Sequence, residues 1–203
     1  MKNKLIVFFI LLISLSLSCM GKDKNDKPIN NNVVDLAKST EKVEDIKKEK
    51  EEKIEDKKVE VPKIVLKDQN GKEHNLEDYK GKVVFINFWA TWCGYCVEEL
   101  PYLERVSKDY ANDLVVLGIS APKSKEAPKN PDIAKGEIIK FLEKKKVSYP
   151  VLFDEMGKVS KDYGIQFFPT SFVIGRDGYL EGYIPGGLTE ENLRKIVEAA
   201  IKK

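Results

Sequence analysis

The pattern of apolar and polar positions divides the chain into three stretches. An apolar run at residues 5–12 follows two lysines, a polar stretch covers residues 21–60, and the remaining sequence carries short apolar segments at close intervals. In that last stretch, compact apolar runs predict strands, and apolar positions at helical spacing predict helices. Strands are expected at residues 61–67, 74–76, 83–88, 114–119, 149–153, 170–174 and 179–184, and helices at 94–111, 137–146, 158–163 and after Thr189.

The alternation of strands and helices predicts the fold class. The run at residues 83–88 (VVFINF) is apolar at all but one position, which is typical of a strand buried on both faces. We expect an α/β sandwich with a mixed central β-sheet flanked by helices. Residues 61–203 have the length of one domain. A loop containing three prolines is predicted at residues 120–136.

The N-terminal apolar run has the shape of a secretory signal. Two lysines precede it, and it ends at the small residue Ser18 beside Cys19, which is the order found in signal peptides. The run is too short for a membrane span. A cysteine at this junction is typical of bacterial lipoproteins, so we predict a signal peptide at residues 1–18 and lipidation of Cys19. Ser16 stands where such signals usually carry Leu, which leaves ordinary cleavage or a retained anchor as alternatives.

The polar stretch predicts a flexible tether over residues 19–60. Between residues 41 and 60, 16 of the 20 residues are charged. A segment with so few apolar residues does not bury enough surface to offset its loss of conformational entropy. If Cys19 is lipidated, the tether holds the domain outside the cytoplasm at a bacterial membrane. A solvated linker without a specific role is the alternative.

Charge and cysteine content restrict the possible functions. The chain has 35 basic and 33 acidic residues, a net charge of +2. It lacks the basic excess that neutralises phosphates, so no nucleic-acid partner is expected. Its three cysteines are Cys19, Cys93 and Cys96. With Cys19 lipidated, the other two remain as a pair in a compartment where disulfides persist.

Residues 92–96 (WCGYC) carry the candidate chemistry. They lie where the strand predicted at residues 83–88 gives way to a helix, and C-x-x-C in that position is typical of thiol–disulfide exchange. Cys93 at the helix N-terminus, where unpaired N–H groups favour a thiolate, is the expected nucleophile. Cys96, one turn further on, is expected to resolve the mixed disulfide. A static structural disulfide is the alternative, although so short a ring constrains little chain entropy.

No metal or cofactor is expected at this motif. Zinc requires four ligands, and the chain offers only Cys19 and His74 besides the pair. His74 is expected on an exposed hairpin with a solvated side chain. The sequence therefore predicts no Cys–His catalytic pair.

Three parts of the sequence together resemble a known family. They are residues 87–96 (NFWATWCGYC) followed by Pro101, the tripeptide Phe168-Pro169-Thr170, and a predicted helix and strand inserted between Ile119 and Asp154. In these parts the chain resembles the thioredoxin superfamily, specifically its membrane-tethered TlpA/ResA-like branch. The resemblance implies a thioredoxin-like fold with a helix–strand insertion, and a cis peptide bond before Pro169.

The resemblance also implies a client-binding surface around the cysteines. Its expected substrate-binding residues are Trp92, Tyr95, Phe168, Pro169 and Thr170. With Phe167 added, the aromatic side chains are expected to form an apolar rim, opposite Gly186-Gly187, that docks an extended segment of a client protein. Phe167 and one of the two tryptophans are equally well explained as core residues.

These features predict an extracytoplasmic, lipid-anchored and monomeric thiol:disulfide oxidoreductase. No imidazole is expected beside Cys93, which favours a reductase over a strong oxidase, and the resemblance implies a membrane thiol transporter as its electron donor. Its client would be a protein such as an apocytochrome c or an exported methionine sulfoxide reductase. Plain thioredoxins carry a buried acid where this chain has Asn87, so the sequence assigns no proton acceptor to Cys96.

Three alternative functions remain open. A disulfide-forming oxidase is the alternative within the class, because Tyr95 replaces the residues that usually mark the direction of exchange. A peroxiredoxin-like peroxidase would need Thr where Ala90 stands. A tethered binding module without catalysis belongs to a different class.

Overall fold

The computed structural model describes residues 58–203. The predicted signal peptide, Cys19 and the tether up to residue 57 therefore lie outside the described residues. The strands are β1 (Val65–Lys67), β2 (Glu73–Asn75), β3 (Val83–Phe88), β4 (Leu114–Ser120), β5 (Val151–Phe153), β6 (Thr170–Ile174) and β7 (Leu180–Pro185). The helices are α1 (Gly94–Asp109), α2 (Lys135–Lys145), α3 (Lys158–Asp162) and α4 (Glu190–Ile201), with a 3₁₀ turn at Leu76–Tyr79.

Five strands form one mixed sheet in the order β5-β4-β3-β6-β7. The central strand β3 pairs in parallel with β4 and antiparallel with β6. The sheet extends in parallel from β4 to β5 and antiparallel from β6 to β7, and β1 and β2 form a separate hairpin. The predicted fold class, a mixed sheet flanked by helices with α2 and β5 as the insertion, is confirmed.

Both faces of the sheet are covered, and β3 is buried along its whole length. On one face, Val83 and Phe85 belong to a core shared with α1, α2 and α4. On the other face, Val84 and Ile86 pack with residues of the 3₁₀ turn and α3. Because successive side chains of a strand point to opposite faces, an apolar run such as β3 requires a cover on each side. Four residues lie between the end of this strand and Cys93, where the C-x-x-C motif begins.

The β1–β2 hairpin differs from the sequence prediction at His74. The prediction of a solvated side chain is wrong, because His74 is buried. Its Nε2 lies 3.1 Å from Asp68 Oδ2, and its Nδ1 is hydrogen-bonded to the Tyr79 hydroxyl. The backbone of Asp68 in turn forms an isolated antiparallel β-bridge with Leu152 of β5. The hairpin is therefore joined to the edge strand β5, and both ring nitrogens of His74 are engaged inside it.

Candidate redox site

The cysteine pair lies where β3 ends and α1 begins. Cys93 is the N-cap of α1, and its backbone N–H donates to the carbonyl of Ala90 at 3.1 Å. The two sulfurs form a disulfide whose Cα atoms are 5.2 Å apart. The backbone N–H of Cys96 donates to Cys93 Sγ at 3.2 Å. After reduction of the disulfide, an N–H in this position stabilises a thiolate on Cys93.

The two cysteines differ in how much of each residue reaches solvent. Cys93 is 6% exposed and Cys96 is 1% exposed. The turn before them is held by Trp89 and Ala90, which are fully buried. Since Cys93 keeps more contact with solvent than Cys96, an incoming disulfide reaches Cys93 first.

The loop before β6 lies beside the disulfide region. The Phe168–Pro169 peptide bond is cis, as the resemblance implies. The carbonyl of Pro169 accepts a hydrogen bond from Gly186 N at 2.9 Å, which joins this loop to the segment after β7. Thr170 is buried, and its hydroxyl donates to the carbonyl of Phe167 at 2.8 Å. The Thr170 side chain thus closes the loop, and Thr170 itself is paired with Phe88 of β3 and Pro185 of β7 inside the sheet.

Aromatic side chains next to the pair in the sequence and at the cis-proline loop are open to solvent. Trp92 is 62% exposed, Tyr95 71% and Phe167 47%. The Trp92 ring packs edge-on against Phe168, with ring centroids 5.8 Å apart. A Cβ built on Gly187 would lie 3.3 Å from the Tyr95 side chain, so this glycine lets the opposite loop approach it closely. The structure therefore brings Trp92 and Phe168 of the predicted rim into contact and sets Tyr95 beside Gly187. Phe167 is half-exposed and is not a core residue.

A buried glutamate adds a residue that the sequence analysis did not identify. Glu99 lies on α1 three residues after Cys96 and is buried, as Cys96 is. Residues at this spacing lie on the same face of a helix. Its Oε1 accepts a hydrogen bond from the backbone N–H of Leu188, and its Oε2 lies 3.4 Å from Asn87 Nδ2. Asn87 also donates to Ser171 Oγ at 3.0 Å. Asn87, which stands where plain thioredoxins carry a buried acid, therefore contacts the carboxylate of Glu99 on α1.

Burial shifts the acidity of this glutamate into the neutral range. Desolvation raises the pKa of Glu99 to about 7, because the charged form loses its hydration. The hydrogen bonds from Leu188 and Asn87 favour the carboxylate and oppose this shift. A carboxyl group with this pKa accepts and releases a proton near neutral pH.

The remaining polar clusters of the described residues offer no set of metal ligands. Within residues 58–203, no group of three or more His, Cys, Asp and Glu side chains is placed to hold a metal ion. His74 is engaged by Asp68 and Tyr79 in the hairpin and takes no part in the cysteine site.

A disulfide at a helix N-terminus, set beside a cis-proline loop in a mixed sheet, is the arrangement of thioredoxin-fold exchange enzymes. The fold and the site therefore define a thiol–disulfide oxidoreductase. The model of the AhpC/TSA family matches residues 58–182, and the chain belongs to this family.

Proteins with similar sequences are named thiol-disulfide oxidoreductases. The thiol-disulfide oxidoreductase ResA of Bacillus thuringiensis subsp. konkukian is 37% identical over 150 residues, which cover 73% of this chain and 80% of the relative. The ResA protein of Geobacillus thermodenitrificans is 32% identical over 141 residues, covering 68% and 74%.

Solved structures show the same fold. The pneumococcal exposed lipoprotein thioredoxin of Streptococcus pneumoniae has a TM-score of 0.58 and 29% identity, and the match covers 68% of this chain and 99% of that one. A thiol:disulfide interchange protein of Chlorobium tepidum has a TM-score of 0.60 and 26% identity, covering 71% and 97%.

Proposed function

We propose that the protein reduces a disulfide bond of a client protein through the Cys93–Cys96 pair. The observation that supports this most directly is the Cys96 N–H that donates to Cys93 Sγ at the start of α1. It makes Cys93 the better thiolate of the two and therefore the nucleophile. The greater burial of Cys96 is consistent with a resolving role.

The proposed reaction transfers two electrons in two steps. The Cys93 thiolate attacks one sulfur of the client disulfide, which forms a mixed disulfide and releases the other client sulfur as a thiolate. Cys96 then gives up its proton and attacks Cys93 Sγ, which closes the internal disulfide and releases the first client sulfur. The client is reduced and the pair is oxidised. A thiol donor at the membrane would return the pair to the dithiol form.

Glu99 is the group that we assign to receive the Cys96 proton. It follows Cys96 by three residues on the buried face of α1, and its pKa of about 7 matches the pH at which such a transfer is needed. Asn87 and the Leu188 N–H hold the carboxylate in place. In this arrangement a helix residue supplies the acid that plain thioredoxins carry on the central strand.

The reduction potential tests the direction of exchange. The only histidine of the chain is engaged in the β1–β2 hairpin, so no imidazolium stabilises the reduced pair as in a strong oxidase. We expect a potential closer to about −270 mV than to about −120 mV. The measurement is equilibration in dithiothreitol buffers followed by alkylation and mass spectrometry, with Cys19→Ser as the background so that one pair titrates. A value near about −120 mV would establish the oxidase alternative instead.

The aromatic rim is the proposed docking surface for the client. Tyr95 and Phe168 flank the disulfide region, and an apolar surface of this kind buries an extended peptide segment. Tyr95→Ala and Phe168→Ala should each lower the yield of mixed disulfide between a Cys96→Ser protein and its client by roughly fivefold, the scale of one lost apolar contact. Met156→Ala, which truncates an exposed residue outside the rim, is the control. Unchanged trapping by both rim variants would reject the docking role.

The place of action is proposed from the N-terminal sequence. A signal peptide and a lipidated Cys19 would place the domain outside the cytoplasm on a bacterial membrane, and the pneumococcal relative is itself named an exposed lipoprotein. Within residues 58–203, no helix has the length and apolar character needed to cross a bilayer. The lipid would then be the membrane attachment of a monomeric protein whose donor and client both reach the rim.

A further inference from the structure

The loop between β4 and α2 is joined to the redox turn by one buried carboxylate. Asp132 is 2% exposed. Its Oδ2 accepts hydrogen bonds from Thr91 N at 3.0 Å and Ser120 Oγ at 2.8 Å. Its Oδ1 accepts from the Thr91 hydroxyl and from Ile133 N. Two of the four donors thus belong to Thr91, which lies two residues before Cys93.

The next residue along the chain is held by the same loop. The indole N–H of Trp92 donates to the carbonyl of Pro131, the neighbour of Asp132, at 2.8 Å. Trp92 also packs edge-on against Phe168 of the cis-proline loop. Although most of its surface is exposed, Trp92 is therefore fixed from two sides. An exposed tryptophan held in one orientation loses less conformational entropy when a partner binds it.

We propose that Asp132 is a positioning residue that orients Trp92 for a protein client. Through Thr91 and Pro131, the insertion loop sets the orientation of the rim next to the attacking sulfur. Asp132 acts on how an extended client segment binds and leaves the chemistry of Cys93 unchanged. This inference rests on the proposed exchange with a protein client.

The structure gives a reason why this role belongs to Asp132 and to no other loop residue. A buried carboxylate is tolerated when its lone pairs are matched by donors, and Asp132 has two donors on each oxygen. The exposed polar residues of the loop, such as Lys125 and Lys129, make no such contact within the described part of the chain. Among the described side chains of the loop, Asp132 is thus the one that bonds the redox turn, and the second link is the backbone carbonyl of Pro131.

Two disulfide probes separate positioning from chemistry. The first is an extended ten-residue peptide whose one cysteine is joined to thionitrobenzoate, and the second is cysteine joined to the same group. In both, Cys93 attacks the probe disulfide, forms a mixed disulfide and releases coloured thionitrobenzoate. Cys96 then displaces the peptide or cysteine thiol. Thr91→Val and Asp132→Asn are compared with Ser120→Ala, which removes a donor to Asp132 without touching the turn that carries Trp92.

We expect Thr91→Val and Asp132→Asn to raise the half-saturating peptide concentration about five- to tenfold, the scale of one lost hydrogen bond. The limiting rate with the peptide and the rate with cysteine–thionitrobenzoate should change less than about twofold in these two variants. Ser120→Ala should have the rates and the half-saturating peptide concentration of the parent protein. Equal losses with both probes, or no loss with the peptide in folded variants, would overturn the inference. If Asp132→Asn fails to fold, Thr91→Val decides the matter, since it removes one hydroxyl. If the parent protein reacts with neither probe, the exchange function itself is rejected.

Discussion

Replacing Cys93 by serine should lower the rate of disulfide exchange by at least roughly a thousandfold, because the reaction then lacks its nucleophile. Replacing Cys96 by serine should have a different result. The first attack by Cys93 proceeds, but no second sulfur is present to displace the client. The protein therefore accumulates as a mixed disulfide, which appears as a higher-mass species on non-reducing gels and identifies the client by mass spectrometry.

The controls for this prediction use the third cysteine and the double variant. Cys19→Ser should leave exchange with a small disulfide unchanged, since the described site contains only Cys93 and Cys96. A Cys93→Ala, Cys96→Ala protein should lose function in cells. If that double variant instead keeps client binding and cell function, the protein acts as a tethered binding module. Exchange at the normal rate in Cys93→Ser would refute the assignment of the nucleophile.

The central part of the fold follows from the sequence with little ambiguity. The apolar run of β3 could be buried only between two layers, and the structure shows a layer on each face. Element boundaries are less well predicted where the local signal is weak. The helix α2 begins at Lys135 rather than at residue 137, because its N-cap is Ala134, which makes no side-chain capping bond. A start without a capping residue leaves no mark in the sequence.

Two side chains of the site region show the limit of local patterns. His74 is buried with both ring nitrogens engaged by Asp68 and Tyr79, and the short alternating pattern of the hairpin does not show that these side chains converge. Glu99 did leave a signal, since it stands among Cys96, Leu100 and Leu103 on the buried face of α1. A charged residue at an apolar helical position indicates a buried acid. Its partners Asn87 and Leu188 could be known only from the folded chain.

Replacing Glu99 by glutamine should slow the second step of exchange by roughly a hundredfold, the usual contribution of a positioned base. The step is the release of the peptide thiol from Cys93, measured by acid quenching and chromatography after mixing with the peptide–thionitrobenzoate probe. Release of thionitrobenzoate, which reports the first attack, should change less than about twofold. In the parent protein, peptide release should increase with pH up to about 7, the pKa of Glu99, and this inflection should be absent from Glu99→Gln.

The matched control is Glu98→Gln, which removes an equal charge from the exposed neighbour on α1. This variant should keep both the rate and the inflection of the parent protein. If Glu98→Gln slows peptide release as much as Glu99→Gln does, the effect comes from net charge and the assignment of Glu99 as proton acceptor is wrong.

Protein stability gives a second and independent measurement of the same group. Because the folded-state pKa of Glu99 is raised from 4.5 to about 7, the native protein holds a proton that the unfolded chain has already released between these two values. The free energy of unfolding should therefore fall as pH rises through this window, by up to about 3 kcal/mol, and become flat above it. Urea unfolding at pH 5 and pH 8 should show this loss in the parent protein and in Glu98→Gln. Glu99→Gln has no carboxyl proton to release at this position. An equal loss of stability in that variant would mean that a different group titrates and that the raised pKa does not belong to Glu99.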